Sequence, residues 1–203
     1  MQKLFAMFVL AALAHGAAIA ETETKGGMAL GTKAPNFRLA DVSTHMEYSP
    51  SDFVGKKALM VVFICRHCPY VQHVKKALAA VGEDYRKKGV QIVAISANDP
   101  AAYPDDAPKS LAEMAKEESF KFPFLFDKTQ NTAKAYSAKA TPDVFIFDKD
   151  QKLVYRGQFD DTRPNGGKEA DGSDVRAVLD ALISGSPVPS EQKPAVGCSI
   201  KWK

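Results

Sequence analysis

Leu59-Met60-Val61-Val62-Phe63-Ile64-Cys65-Arg66-His67-Cys68-Pro69-Tyr70-Val71-Gln72-His73-Val74-Lys75-Lys76 is the stretch whose reading decides the fold. Its apolar run is short and rich in Val, Ile and Phe, and predicts a buried strand. Beyond the cysteines, Val71, Val74, Leu78, Val81 and Tyr85 recur at helical spacing and predict an amphipathic helix. The two thiols of a Cys-x-x-Cys therefore stand where a strand ends and a helix begins.

That placement carries chemistry. The free amides of a helix's first turn favour negative charge, and the thiolate is the reactive form of cysteine. Cys65 is expected at the exposed edge as the attacking thiol, with Cys68 one turn into the helix as the resolving thiol. Pro69 suits an early helix position. Arg66 and His67 are expected to lower the pKa of Cys65, which makes the disulfide more oxidising. The competing reading is a structural disulfide or two inert core thiols, against which the strand–Cys-x-x-Cys–helix order argues.

The rest of the chain extends this pattern. Residues 1–20 have a basic start at Lys3, an uncharged apolar core and the small-residue ending Ala18-Ile19-Ala20, the pattern of a cleavable export signal. Cleavage before Glu21 predicts a protein of an oxidising compartment, the periplasm of a Gram-negative source, with no stable membrane insertion. The formal charge of +3 becomes +2 without Lys3, which argues for no charged partner and against nucleic acid. Three cysteines are too few for a disulfide-stapled scaffold.

Short strands are expected around residues 36–39 and 46–48, at 90–96 and at 122–126. Helices are expected at 110–119, 129–136 and 173–184. A strand–helix–strand order from 59 to 96 implies parallel pairing through a right-handed crossover. Thr141-Pro142 opens the apolar strand Val144-Phe145-Ile146-Phe147, and residues 152–156 are its hairpin partner. On local sequence an ordinary trans proline is expected there; a cis bond would expose a backbone edge able to pair with an extended partner segment. Asp160 and Asp161 are read as turn residues rather than cation ligands, and Gly166-Gly167-Lys168 as a flexible turn. Residues 185–194 read as a linker. Beyond it Cys198 is a candidate accessory thiol able to reach Cys65 or Cys68, with Trp202 expected to pack near the site.

The Cys65-Arg66-His67-Cys68-Pro69 strand end and the Thr141-Pro142 pair resemble the thioredoxin superfamily, in the branch shared by exported TlpA-like thiol-disulfide proteins and the AhpC/TSA redoxins. The resemblance covers residues 31–184. It implies an α/β, thioredoxin-like fold: a central mixed sheet flanked by helices, with an N-terminal hairpin and a redoxin-type insertion. It also implies Pro142 in the cis form beside Cys65, with Thr141 and Pro142 shaping a partner groove. The domain layout is then a signal at 1–20, a redoxin domain at 31–184 and an extended tail at 185–203.

Three departures refine the picture. Ile64 stands where the usual tryptophan precedes the first cysteine, and the strand ending at Ile64 has no acid. His67 before Cys68 resembles the oxidising DsbA-type dipeptide. The activity implied is a thiol-disulfide oxidoreductase without a cofactor, acting on protein thiols or disulfides, with a membrane electron donor or acceptor among its allowed partners. The alternatives are a thiol peroxidase, although Cys65 replaces the peroxidase threonine, and a copper or zinc metallochaperone using Cys65, His67, Cys68 and His73.

Overall fold

The computed structural model describes residues 27–203; the expected export signal lies outside them. In chain order the elements are β1 (Leu39–Ala40), β2 (Glu47–Tyr48), β3 (Ala58–Phe63), α1 (Pro69–Arg86), β4 (Val90–Ser96), α2 (Pro108–Glu117) and β5 (Phe124–Phe126). They continue with α3 (Asn131–Ala135), β6 (Ala140–Thr141), β7 (Asp143–Phe147), β8 (Leu153–Gly157), α4 (Ser173–Ser184) and β9 (Cys198–Ser199).

Five strands form the central sheet in the order β5-β4-β3-β7-β8. β4 runs parallel to β3 and to β5, whereas β7 pairs antiparallel with β3 and β8, so the sheet is mixed. β3 is buried on both faces along its whole length, as its unbroken apolar run requires. Because side chains alternate across a strand, Met60 and Val62 face one cluster, built with α1, α2 and α4. Leu59, Val61 and Phe63 face a second cluster with Phe37, Phe53 and Tyr136.

α1 begins at Pro69, so Cys68 is not one turn into the helix as expected but stands just before it. Pro69 takes the first helical position and Cys68 the N-cap. Val71, Val74, Leu78, Val81 and Tyr85 form the buried face. The helix ends at Arg86, and the turn after it closes at Gly89, whose φ of +88° suits glycine. α2 starts two residues earlier than expected, at Pro108, another first-turn proline.

The tail, read as an extended linker leading to Cys198, is laid against the domain. It runs back along β8, where Gln158 N donates to the Lys193 carbonyl (3.0 Å) and Arg156 N to Gln192 Oε1 (2.8 Å). Two glycines permit the approach: a Cβ on Gly157 would overlap the Lys193 carbonyl, and one on Gly197 the Thr141 carbonyl. β9 then pairs antiparallel with β6, Thr141 opposite Cys198 and Ala140 opposite Ser199. Ile200 enters the second cluster, 3 % exposed. The last residues are held by Gln130, whose Nε2 donates to the Lys201 carbonyl (2.9 Å) and whose Oε1 accepts from Lys203 N (2.9 Å). A single buried Ile is worth roughly 1.5–3 kcal/mol, which these hydrogen bonds reinforce.

Candidate active site

The strand-to-helix junction places Cys65 two residues beyond β3 and Cys68 at the head of α1. Cys65, Cys68 and Cys198 are all free thiols. Thr141, at the end of β6, lies against both members of the pair. Its Oγ1 is 3.3 Å from Cys65 Sγ, and its carbonyl oxygen accepts from the Cys68 thiol at 3.1 Å. The Thr141–Pro142 peptide is cis.

Cys65 is not at an exposed edge. Both sulfur-bearing residues are wholly buried. The reason is tertiary: β9 lies along the Thr141 edge, which a reading of residues 59–76 alone leaves open.

Arg66 and His67 do not act on Cys65 as expected. The Arg66 guanidinium turns to α2, where it meets the Ser110 carbonyl, Glu113 (3.2 Å) and Glu117 (3.1 Å). The His67 ring goes to Asp106, with Nδ1 2.5 Å from Oδ2, and stacks on Tyr103 at 4.7 Å. Asp106, fully buried, also accepts from the backbone N–H of Arg66 (2.7 Å) and His67 (3.2 Å). Asn98 Nδ2 donates to the same carboxylate at 2.8 Å, and Asn98 Oδ1 accepts from Lys201 N at 2.8 Å. One hydrogen-bonded chain therefore joins the Cys-x-x-Cys loop to the C-terminal tail.

The charge on the pair is set first by the two thiols acting on each other, not by Arg66 and His67. Cys65 is held above the ordinary thiol range, first by its hydrogen bond to Cys68, then by burial and the Asp106 carboxylate. Cys68 is lowered, first by the hydrogen bond from Cys65, against the opposing effect of burial; the Cys198 thiol and the Val71 backbone N–H assist. The helix terminus thus acts on its own N-cap, Cys68, rather than on Cys65 three residues before it. The pair behaves as one dithiol sharing a charge.

Other expectations resolve simply. His73 Nε2 bonds Thr162 Oγ1 at 2.8 Å. It is absent from the metal-ligand cluster found among the described residues, which is Cys65, His67 and Asp106. Trp202 does not cover the thiols: it is 44 % exposed, with Lys134 Nζ 5.9 Å from its ring centre. Asp160 is a turn residue, accepting from the backbone N–H groups of Thr162 (3.0 Å), Asp171 (2.9 Å) and Gly172 (2.8 Å).

Sequence reasoning missed Asp106, Asn98 and Gln130. The one signal for the first two was the length and acidity of the loop between β4 and α2, since long loops in compact domains tend to carry function. Gln130 could have been noticed only from its left-handed backbone, φ 64°, which the sequence does not print.

The AhpC/TSA family model matches residues 30–156. The chain is 27 % identical over 131 residues to the thiol-disulfide oxidoreductase ResA of Geobacillus kaustophilus, covering 64 % of this chain and 69 % of that protein. Among solved structures, an uncharacterized conserved protein from the same species is 49 % identical with a TM-score of 0.83, covering 86 % of this chain and 92 % of that one. A thiol:disulfide interchange protein of the thioredoxin family from Chlorobium tepidum shares the fold, with 19 % identity and a TM-score of 0.59 over 75 % of this chain and 97 % of that one.

Proposed function

The chain belongs to the AhpC/TSA family and is a thiol-disulfide oxidoreductase with a thioredoxin-like fold; from that premise we propose that Cys65 and Cys68 open and close one disulfide through mixed disulfides with partner proteins. The observation that carries this reading is the convergence of both sulfurs on Thr141, 3.3 Å from Cys65 Sγ to Oγ1 and 3.1 Å from Cys68 Sγ to the carbonyl.

In the reduced, singly ionised pair the two sulfurs share one proton. As the Cys65 sulfur attacks a client disulfide, that proton goes to Cys68, and one client thiolate leaves. Cys68 then attacks the Cys65 sulfur of the mixed disulfide. The second client sulfur departs with the proton Cys68 gives up. The client gains two electrons and the chain is left with a Cys65–Cys68 disulfide; the same steps in reverse oxidise a client. Thr141 and Pro142 border the edge on which an extended client segment would pair; β9 occupies that edge in this structure, so a client would have to displace the tail. Arg66 and His67 contribute by fixing the loop to α2 and Asp106.

The proposed setting is the periplasm, reached through cleavage after residue 20, with a redox domain at 31–184, a docked tail at 185–203 and a membrane-bound donor or acceptor resetting the pair. The export-like composition of residues 1–20 supports this.

Metal delivery has one observation in its favour: ligand atoms of Cys65, His67 and Asp106 lie within 4.8 Å of one another. Against it, the His67 Nδ1 and both Asp106 oxygens are engaged in hydrogen bonds. The experiment is insulin reduction by wild type, Cys65→Ser and Cys68→Ser, with metal content and peroxide consumption measured on the same samples. Turnover by wild type that both variants lose supports the reading. Stoichiometric copper or zinc with no disulfide exchange overturns it.

A further inference from the structure

Thr141 touches not two cysteines but three. Besides its contacts with Cys65 and Cys68, its Oγ1 lies 3.5 Å from the carbonyl oxygen of Cys198, its antiparallel partner on β9. The Cys198 side chain packs against the apolar cluster that contains Cys65 and Cys68. Cys65 and Cys68 are buried, whereas Cys198 is partly exposed.

We propose that Cys198 is a third redox thiol, the surface-facing end of a relay in which the disulfide moves within the chain between Cys65–Cys68 and Cys68–Cys198. This rests on the reading of Cys65 and Cys68 as an exchanging pair.

Three features make the placement specific. An extended segment laid antiparallel on the strand before Pro142, with a cysteine opposite Thr141, is the geometry a disulfide client would need, and the chain supplies one itself. Gly197 lets that segment approach closely, because any Cβ there would strike the Thr141 carbonyl. The tail is fixed on both sides of the cysteine, by Lys193 against Gln158 before it and by Lys201 against Asn98 after it. Held this way, Cys198 meets Cys68 as an intramolecular reactant, which replaces a bimolecular collision by a high effective concentration.

The step balances without an external reagent. The Cys198 thiolate attacks the Cys68 sulfur of the Cys65–Cys68 disulfide. A Cys68–Cys198 bond forms as the Cys65–Cys68 bond breaks. Cys65 leaves with the electron pair and takes the proton Cys198 gave up. No net oxidation occurs, and the new disulfide is open to solvent through Cys198.

The test is cysteine mapping of the whole protein after limited oxidation. Wild type and Cys65→Ser are treated with substoichiometric and stoichiometric diamide at low protein concentration, alkylated, digested and analysed by mass spectrometry. The expected result is a Cys68–Cys198 peptide in monomeric Cys65→Ser, and both Cys65–Cys68 and Cys68–Cys198 peptides in wild type. Should Cys65→Ser fail to fold, the wild-type map decides alone. Closure of Cys65–Cys68 in wild type with no Cys68–Cys198 linkage in either sample overturns the relay and leaves the pair intact. A wild type that forms no disulfide overturns the pair and the relay together.

Discussion

Asp106 holds His67 twice, through the backbone N–H at 3.2 Å and through ring Nδ1 at 2.5 Å. The residue between the cysteines that looked like a tuner of Cys65 is thereby tied to a buried carboxylate from another loop. That carboxylate pushes Cys65 up rather than down.

Asp106→Asn tests this tie. The substitution keeps the size and removes the charge. Hydrogen bonds to charged groups contribute about 1.5–3 kcal/mol each, so a loss of at least about 2 kcal/mol is expected in urea denaturation. The Cys65 thiol should also titrate at lower pH. An unchanged Cys65 titration would contradict the role of the carboxylate.

The pH dependence of the pair has two limbs of opposite sign. Cys68 is depressed in the folded state, so its contribution to stability is present above the ordinary thiol value of about 8.5 and is lost as pH falls through the lowered one. Cys65 is raised, so its contribution is present below that ordinary value and is lost as pH climbs toward the raised one. Ultraviolet thiolate absorbance should show one thiolate per chain from the pair across neutral pH, with the second appearing only in strong base. Two thiols titrating together near the ordinary value would rule this out.

Gly197→Ala probes the docking of the tail. The added Cβ overlaps the Thr141 carbonyl, so β9 must lift from β6. A penalty of about 1.4 kcal/mol raises the open population about tenfold. Iodoacetamide modification of Cys65 and Cys68, followed by peptide mass mapping, should accelerate by about that factor. An unaltered rate would mean that β9 does not cover the pair.

Ile200→Ala and Trp202→Ala form a contrasting pair. Ile200 is buried in the second cluster and should cost about 2–4 kcal/mol on truncation. Trp202 is half-exposed against Lys134, and its truncation should stay within about 0.5 kcal/mol. Thermal unfolding separates the two. A Trp202 effect as large as that of Ile200 would restore the tryptophan to a packing role.

The AhpC/TSA fold and its central motif could be read from the chain because they are written in near neighbours. The alternation and burial of residues 58–63, the helical spacing from Val71 to Tyr85 and the proline at the first position of α1 are periodic signals over a few turns. The placement of two thiols at a strand–helix junction followed from them. What no local pattern could supply was who faces those thiols. Asp106 reaches the loop from about forty residues on, and Cys198 reaches Thr141 from the far end of the chain. Both depend on how the loops and tail fold back over the sheet edge, where electrostatics are set by distance through the protein rather than along the sequence. Residue order alone established that a dithiol stands at this junction and offered Cys198 as a thiol able to reach it; the tertiary contacts decided that the dithiol is buried, that Asp106 holds its loop, and that Cys198 stands opposite Thr141.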